Sequence, residues 1–80
     1  MKEMAEAISL VTSSELDEVQ KKEVQSILEE AKESVQEKSE EKASSSKKRF
    51  STFLAFAGNA AQKLISALAG LATIAKFFGI

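Results

Sequence analysis

Residues 50–80 read FSTFLAFAGNAAQKLISALAGLATIAKFFGI, and this stretch decides the fold of the chain. It contains all five phenylalanines and twelve large apolar side chains, but no acidic residue. An apolar residue recurs every seven positions, at Phe50, Ala57, Leu64, Leu71 and Phe78, and two further apolar rows lie beside this one. Because Ala and Leu favour helix and no alternation of period two is present, the pattern predicts one long amphipathic helix.

Glycine is the weak point of this predicted helix. Gly58 and Gly70 lie inside it, and each weakens a helix interior by about 1 kcal/mol relative to Ala. Gly79 stands where a glycine commonly ends a helix. We therefore expect a helix over the whole stretch, closed by Gly79.

The rest of the chain is polar and predominantly acidic. Residues 1–42 carry twelve acidic residues and six lysines, whereas residues 43–80 carry four lysines, one arginine and no acid. The 80 residues include no proline, which allows long helices, and no cysteine, so no disulfide can support a small core. This distribution favours either pairing between the two halves or attraction of the cationic half to an anionic surface.

Residues 1–13 form the first predicted segment, a short amphipathic helix. Met4, Ile8 and Val11 stand at helical spacing, and acidic residues replace the cationic start of a signal peptide. Because the pattern is already present at Met1, both a complete chain and a piece of a longer protein fit it.

Residues 14–43 form the second predicted segment, an acidic amphipathic helix. Ser14 followed by Asp17 three positions later is a helix-start signature. The apolar stripe of this helix includes Val19 and ends at Val35, after which the sequence is almost wholly polar.

A polar turn is predicted over residues 44–49. Serines compete with helix by bonding to nearby backbone, so the break is expected at Ser44–Ser46. Because neither Gly nor Pro is present there, a continuous helix through the serines is the alternative. With the turn, the fold class is all-α: a short N-terminal helix, then two long helices in an antiparallel hairpin.

The predicted turn also sets a register for the hairpin. Equal helical rise on both sides makes the numbers of facing residues add up to roughly 90. Exposed ion pairs in this register would orient the helices more than they would stabilise them. The predicted pairs are Lys63 with Glu29 or Glu30, Lys76 with Glu15 or Glu18, and Arg49 with Glu41.

The C-terminal helix is more apolar than the other two helices can cover. Against its twelve large apolar side chains, the second helix offers six and the first offers five. Phe56, Ile65 and Phe77 widen the apolar face beyond the reach of one facing helix. An exposed apolar surface of this size marks contact with protein or membrane.

The sequence gives no support to catalysis. A serine nucleophile needs a base, and the eleven serines have no histidine to serve as one. The lack of His and Cys excludes the common zinc sites, and no glycine-rich phosphate loop is present. We expect no enzyme activity, no metal, no cofactor, no small-molecule substrate and no nucleic-acid partner.

From residue 14 to residue 80 the segments follow a set order. They are SELD at 14–17, ILEE at 27–30 in a Lys- and Glu-rich helix, a polar Lys/Ser turn, and GNAA at 58–61 before a Leu- and Ala-rich run ending KFFG at 76–79. This order resembles the C-terminal helical hairpin tails of bacterial proteins of the abortive-infection, phage-defence type, although the proline usual in their turn is absent. The resemblance implies an accessory module for oligomerisation or membrane approach, without catalytic residues.

The expected function is a non-enzymatic helical association module, for oligomerisation or for docking onto a larger protein. The chain itself or a larger protein would be the partner, and the expected location is the cytoplasm. The predicted contact face consists of Phe50, Phe53, Leu54, Leu64, Leu68, Leu71, Ile74 and Phe78.

The alternative is a membrane-active or membrane-anchoring helix beneath an acidic N-terminal cover, at the inner face of the membrane. Lys63 divides the apolar stretch into uncharged runs of thirteen and twelve residues. A spanning helix needs about 20 apolar residues, so a helix lying on the membrane fits better than a spanning one. The predicted contacts to anionic headgroups are Lys47, Lys48, Arg49, Lys63 and Lys76.

Overall fold

The computed structural model describes residues 2–80, and the regular secondary structure over that range is α-helical. The helices are α1 (Lys2–Thr12), α2 (Glu18–Glu37), α3 (Glu40–Ala57), α4 (Asn59–Leu68) and α5 (Ala72–Phe78). The all-α prediction is confirmed, but the predicted three-helix arrangement is not, because residues 2–80 form five helices. Met1, the first residue of the predicted N-terminal segment, lies outside the described range.

A two-residue link, Lys38–Ser39, joins α2 to α3 and reverses the chain. Lys38 adopts a left-handed conformation with φ 54°, and its N–H donates to the carbonyl groups of Ser34 and Val35. The Ser39 side chain accepts a hydrogen bond from the Lys42 N–H at 3.2 Å and thereby caps α3. The hairpin of this fold is therefore formed by α2 and α3.

The predicted polar turn over residues 44–49 is wrong, because these residues are helical within α3. Ser46 is buried, and its hydroxyl donates to the Ala43 carbonyl at 3.0 Å, which satisfies the side chain without breaking the helix. Glu40 and Glu41 instead follow Ser39 in the first turn of α3, where acidic residues complement the helix dipole. The start of α3 is therefore marked by Ser39 and the two acids that follow it, and not by the serines at 44–46.

The start of α2 also differs from the prediction, since Asp17 rather than Ser14 caps it. The Asp17 carboxylate accepts from the Gln20 N–H at 2.8 Å, and the Gln20 side chain accepts from the Asp17 N–H at 3.3 Å. This reciprocal pair is a capping box. Ser14 instead donates to the Val11 carbonyl at 2.6 Å, at the end of α1. Val19 consequently falls in the first turn of α2.

The single helix predicted over residues 50–80 is wrong, because three helices share this stretch. Gly58 ends α3 with φ 61° and ψ −136°, a conformation that residues with a Cβ rarely adopt. A second break precedes α5, where Leu71 is extended with φ −98° and ψ 97°. Each break costs helical hydrogen bonds, but it lets α4 and α5 turn their apolar faces toward one core.

The core is built around α1, which contacts α2, α4 and α5. The buried residues of α1 are Met4, Ala7 and Val11. On the side of α3, the ring centroids of Phe50 and Phe78 lie 4.4 Å apart. The other buried apolar residues of this core are Leu16, Val24, Ile27, Leu28, Ala31, Phe53, Ala61, Leu64, Leu68 and Ile74. The acidic half of the chain therefore supplies about half of the core.

The predicted hairpin register is wrong as well. Arg49 of α3 binds Glu23 at 3.1 Å and Glu30 at 3.4 Å, rather than Glu41. Lys63 binds Glu15 at 3.3 Å, and Lys76 has no ion pair within residues 2–80. Because the chain reverses at Lys38–Ser39, the residue numbers of paired residues in α2 and α3 add up to 72–79 rather than to 90.

The folded chain covers most of its own apolar surface. Its accessible surface area is 4996 Å², which is close to the value of about 4,700 Å² typical of a folded monomer of this mass. The radius of gyration of 11.4 Å also agrees with the ~11.6 Å expected for a compact chain of this length. Of the twelve large apolar side chains of residues 50–80, all except Phe56 are buried or half-buried, so the expectation that this stretch cannot be covered within the chain is wrong for them.

A carboxylate of α1 caps α5 across the fold. The Glu3 Oε1 atom accepts a hydrogen bond from the Thr73 N–H at 2.9 Å, while Leu71, at the N-cap position of α5, provides no side-chain cap. Hydrogen bonds from Thr73 hold the pKa of Glu3 below its usual range. A carboxyl with a lowered pKa stabilises the fold above its unfolded pKa and loses that effect as the pH falls through its folded pKa.

We expect Glu3→Gln to lower the melting temperature at neutral pH, because it removes the negative charge at the α5 N-terminus. This difference from the wild type should shrink as the pH falls below about 4.3, where an ordinary Glu becomes protonated. Thermal unfolding followed by circular dichroism from pH 7 to pH 3 measures both effects. Glu6→Gln, at an exposed position of α1, is the matched control. A Glu3→Gln difference that stays constant with pH would contradict the cap.

Candidate functional site

The structure places the eight predicted contact residues inside the fold rather than on an open face. Five of them are buried: Phe50, Phe53, Leu64, Leu68 and Ile74. The other three, Leu54, Leu71 and Phe78, are half-buried and pack against this core. A partner can reach most of these side chains only if the helices separate.

Three large apolar side chains remain exposed among the described residues. Phe56 is 84 % exposed, Val19 is 78 % exposed and Val35 is 50 % exposed. Single exposed apolar side chains are ordinary in folded proteins. The informative point is that two of the three, Val19 and Phe56, line the same groove.

This groove lies between the start of α2 and the end of α3, and its volume is about 440 Å³. We call it the α2–α3 groove. Val19 and Gln20 line it from α2, whereas Phe53, Phe56 and Ala57 line it from α3. Phe53 is only 7 % exposed, so the groove reaches the edge of the core.

Helix geometry explains why Phe56 projects into the groove. Phe50 and Phe53 lie on the buried stripe of α3. Three residues beyond Phe53, Phe56 stands roughly 60° away around the helix axis, at the edge of that stripe. Gly58 then ends the helix, and α4 contributes no residue to this groove. The Phe56 ring is therefore left uncovered.

A fixed arginine forms part of the polar wall of the groove. Arg49 donates to Glu23 at 3.1 Å, to Ser26 at 3.0 Å and to Glu30 at 3.4 Å, so α2 holds its guanidinium in place. Lys48 also lines the groove, but its side chain forms no hydrogen bond or ion pair within the described part of the chain. The charged residues of the groove are thus two cations and one acid, Glu23.

The five cations predicted to contact headgroups have different environments. Arg49 and Lys63 are engaged in ion pairs with acidic residues of the same chain. The Lys47 ammonium lies 5.1 Å from the centre of the Phe77 ring, in cation–π range. Lys48 and Lys76 are exposed. Within residues 2–80, no helix combines the length and the hydrophobicity that crossing a bilayer requires.

Two features that often mark a chemical site are missing from the part of the chain that the structure describes. Over residues 2–80, no group of three or more acidic side chains is placed to hold a metal ion. Each buried polar side-chain atom of those residues has a hydrogen-bond partner. The α2–α3 groove is therefore the surface feature on which a functional argument can rest.

Sequence reasoning found one side of this groove and missed the other. Phe56 stood out as a residue that widens the apolar face, and it is exposed. Val19 was assigned to the apolar stripe of the second helix, but it precedes Val24 by five residues, which is roughly 140° around the helix axis, and it lies away from the buried face. The rotation of roughly 100° per residue along an α-helix was the signal that could have corrected this assignment.

Comparisons with known proteins identified no relative of this chain. No protein-family model matches the chain, and no curated protein or solved structure is significantly similar to it. The fold alone therefore defines its class: a small all-α bundle of five helices over residues 2–80, with one apolar groove beside its hairpin. The resemblance to abortive-infection tails stays a prediction.

Proposed function

We propose that this chain is a non-enzymatic association module that holds a helix of a partner protein in the α2–α3 groove. The observation that carries the proposal is the pair of exposed side chains, Phe56 and Val19, on the two sides of one concave apolar surface. Amphipathic helices commonly bind in grooves of this kind through side chains on one face.

The energetics support an anchor of moderate strength. Fully burying a side chain such as Phe or Val contributes about 1.5–3 kcal/mol. Covering Phe56 and Val19 together therefore favours binding by about 3–5 kcal/mol, while association itself costs at least about 4 kcal/mol. Contacts around these two residues must supply the remainder, so we expect micromolar rather than nanomolar affinity.

The predicted contact residues have a supporting role in this proposal. Phe53 closes the base of the groove, and Phe50 lies one turn earlier on the buried face of α3. The other predicted contact residues belong to the core or pack against it. The sequence predicted a contact face along residues 50–80. In the fold, only the end of α3 remains available to a partner.

An NMR titration tests the proposal. The probe is a cross-linked helical peptide of Ala and Gln with Leu at positions i, i+4 and i+7. We expect saturable amide shifts at residues 19–23 and 48–57, because these residues contain the groove. Val19→Ser and Phe56→Ser should weaken binding about tenfold each, since each removes on the order of 1.4 kcal/mol or more of apolar contact.

Val35→Ser is the matched control, because Val35 is an exposed valine of α2 that does not line the groove. It should leave the peptide affinity unchanged. Shifts that spread over α4 and α5, or binding that persists in both groove variants, would contradict the proposal.

A second candidate is association with an anionic membrane surface, as predicted from the cationic C-terminal half. Lys47, Lys48 and Lys76 are exposed and form no salt bridge within residues 2–80, which favours it. In this case α4 and α5 would leave the core to meet lipid. Flotation with anionic vesicles that is lost at high salt is the expected signature. For both candidates we propose a cytoplasmic location, which in the second case is the inner face of the membrane.

A further inference from the structure

The charges around the α2–α3 groove are unequal, and this inequality bears on what the groove can bind. Arg49 is satisfied by Glu23, Glu30 and Ser26, which fix its guanidinium against α2. The side chain of Lys48, the residue that precedes Arg49 in α3, has neither a hydrogen-bond nor an ion-pair partner among residues 2–80. The groove therefore presents one free positive charge beside its apolar surface.

The position of Lys48 sets a spacing. Lys48 precedes Phe56 by eight residues, which is about 12 Å along α3. A bound helix that packs one side chain on Phe56 thus brings residues two turns away to the level of Lys48. Glu40 and Glu41 lie with Lys48 along a neighbouring depression, but neither carboxylate comes within 4 Å of its ammonium.

Surface area argues against a second copy of this chain as the occupant. Phe56 is the largest exposed apolar side chain in the described range. Two copies that paired through their Phe56 rings would bury on the order of 300–500 Å² of aromatic surface, whereas a stable interface needs roughly 1,000–1,200 Å². A separate helix laid along the groove can instead contact both walls and contribute its own apolar face.

We propose that the groove binds an acidic amphipathic helix of a partner protein. Its apolar side chains pack on Phe56 and Val19, and an Asp or Glu two turns away faces Lys48. This inference rests on the docking function proposed above and adds the charge of the partner. A basic helix would place like charges together at Lys48, which disfavours it.

Three cross-linked helical peptides test the inference with the full chain at 20 mM salt. They share three Leu anchors and differ at one position, two turns from the anchor that packs on Phe56, where they carry Glu, Gln or Lys. Fluorescence anisotropy measures their affinities. Exposed ion pairs have modest effects, so we expect the Glu peptide to bind about threefold tighter than Gln and about tenfold tighter than Lys.

Lys48→Glu should reverse this order, because it replaces the free positive charge by a negative one. Lys32→Glu makes the same change in net charge at a residue of α2 that does not line the groove, and it should preserve the order. Circular dichroism of both variants confirms that they are folded. An order that Lys48→Glu leaves unchanged would overturn the inference.

The remaining outcomes separate this inference from the docking function itself. Equal binding of the three peptides that is lost in Phe56→Ser would overturn the acidic partner and leave the docking groove in place. Failure of all three peptides to bind would overturn both. A dimer in sedimentation velocity that depends on Phe56 would overturn the inference in favour of a second copy.

Discussion

Replacing Leu68 with alanine should lower the free energy of unfolding by about 2–5 kcal/mol. Leu68 lies in α4 and is 0 % exposed, so its truncation leaves a cavity in the shared core. Small domains are stable by only about 5–15 kcal/mol, and the variant would therefore lose a large share of its stability. Urea denaturation followed by the helical circular dichroism signal measures the change.

Ser66→Ala, at an exposed position of the same helix, is the control and should change stability by less than about 0.5 kcal/mol. The comparison separates the observed fold from the one predicted from sequence. If residues 50–80 presented an open face to a partner, Leu68→Ala would weaken association and leave unfolding of the monomer almost unchanged. That result would contradict the burial of α4.

Replacing Gly58 with alanine should also destabilise the fold, by about 1–3 kcal/mol. A Cβ at Gly58 would meet no described atom within 4 Å, so steric clash is not the cause. The cost arises because φ 61° with ψ −136° is unfavourable for an L-residue. Urea denaturation of the variant measures this cost of the backbone conformation.

Two controls identify the backbone as the cause. Gly70→Ala, whose Cβ would lie 3.3 Å from the Ala67 carbonyl oxygen at a residue without positive φ, should change stability by less than about 1 kcal/mol. D-Ala at position 58, introduced by chemical synthesis, has the mirror-image preference and should retain wild-type stability. A stabilising L-Ala would indicate instead that α3 and α4 form one continuous helix.

The fold class was accessible from sequence because helical periodicity is a local property. The rows of apolar residues in residues 50–80 predicted helix, and residues 50–80 are predominantly helical. The break at Gly58 was not accessible, since an intrinsic cost of about 1 kcal/mol does not reveal whether a glycine weakens a helix or ends it. In the fold, α4 contacts α1, and its Leu64 and Leu68 are buried in the shared core.

The candidate site was only partly accessible for a related reason. Counting apolar residues identified residues 50–80 as the most apolar part of the chain, but it gave no information on how the five helices of residues 2–80 share a core. Phe56 was identifiable because it lies off the main apolar rows. Its neighbour Val19 depends on a hairpin that turns at Lys38, and a lysine with positive φ is a signal that no sequence pattern provides.

The stability of the bundle depends on α1, because α1 contacts three of the other helices, α2, α4 and α5. A single irregular segment, residues 13–17, connects α1 to the rest of the bundle, while Met4, Ala7 and Val11 are enclosed by the other helices. A protease that cut this segment would produce two fragments held together without a covalent link, by apolar burial and by the Glu3–Thr73 and Thr12–Gln25 hydrogen bonds. Dissociation of the shorter fragment would expose to solvent the surfaces of α2, α4 and α5 that contact α1.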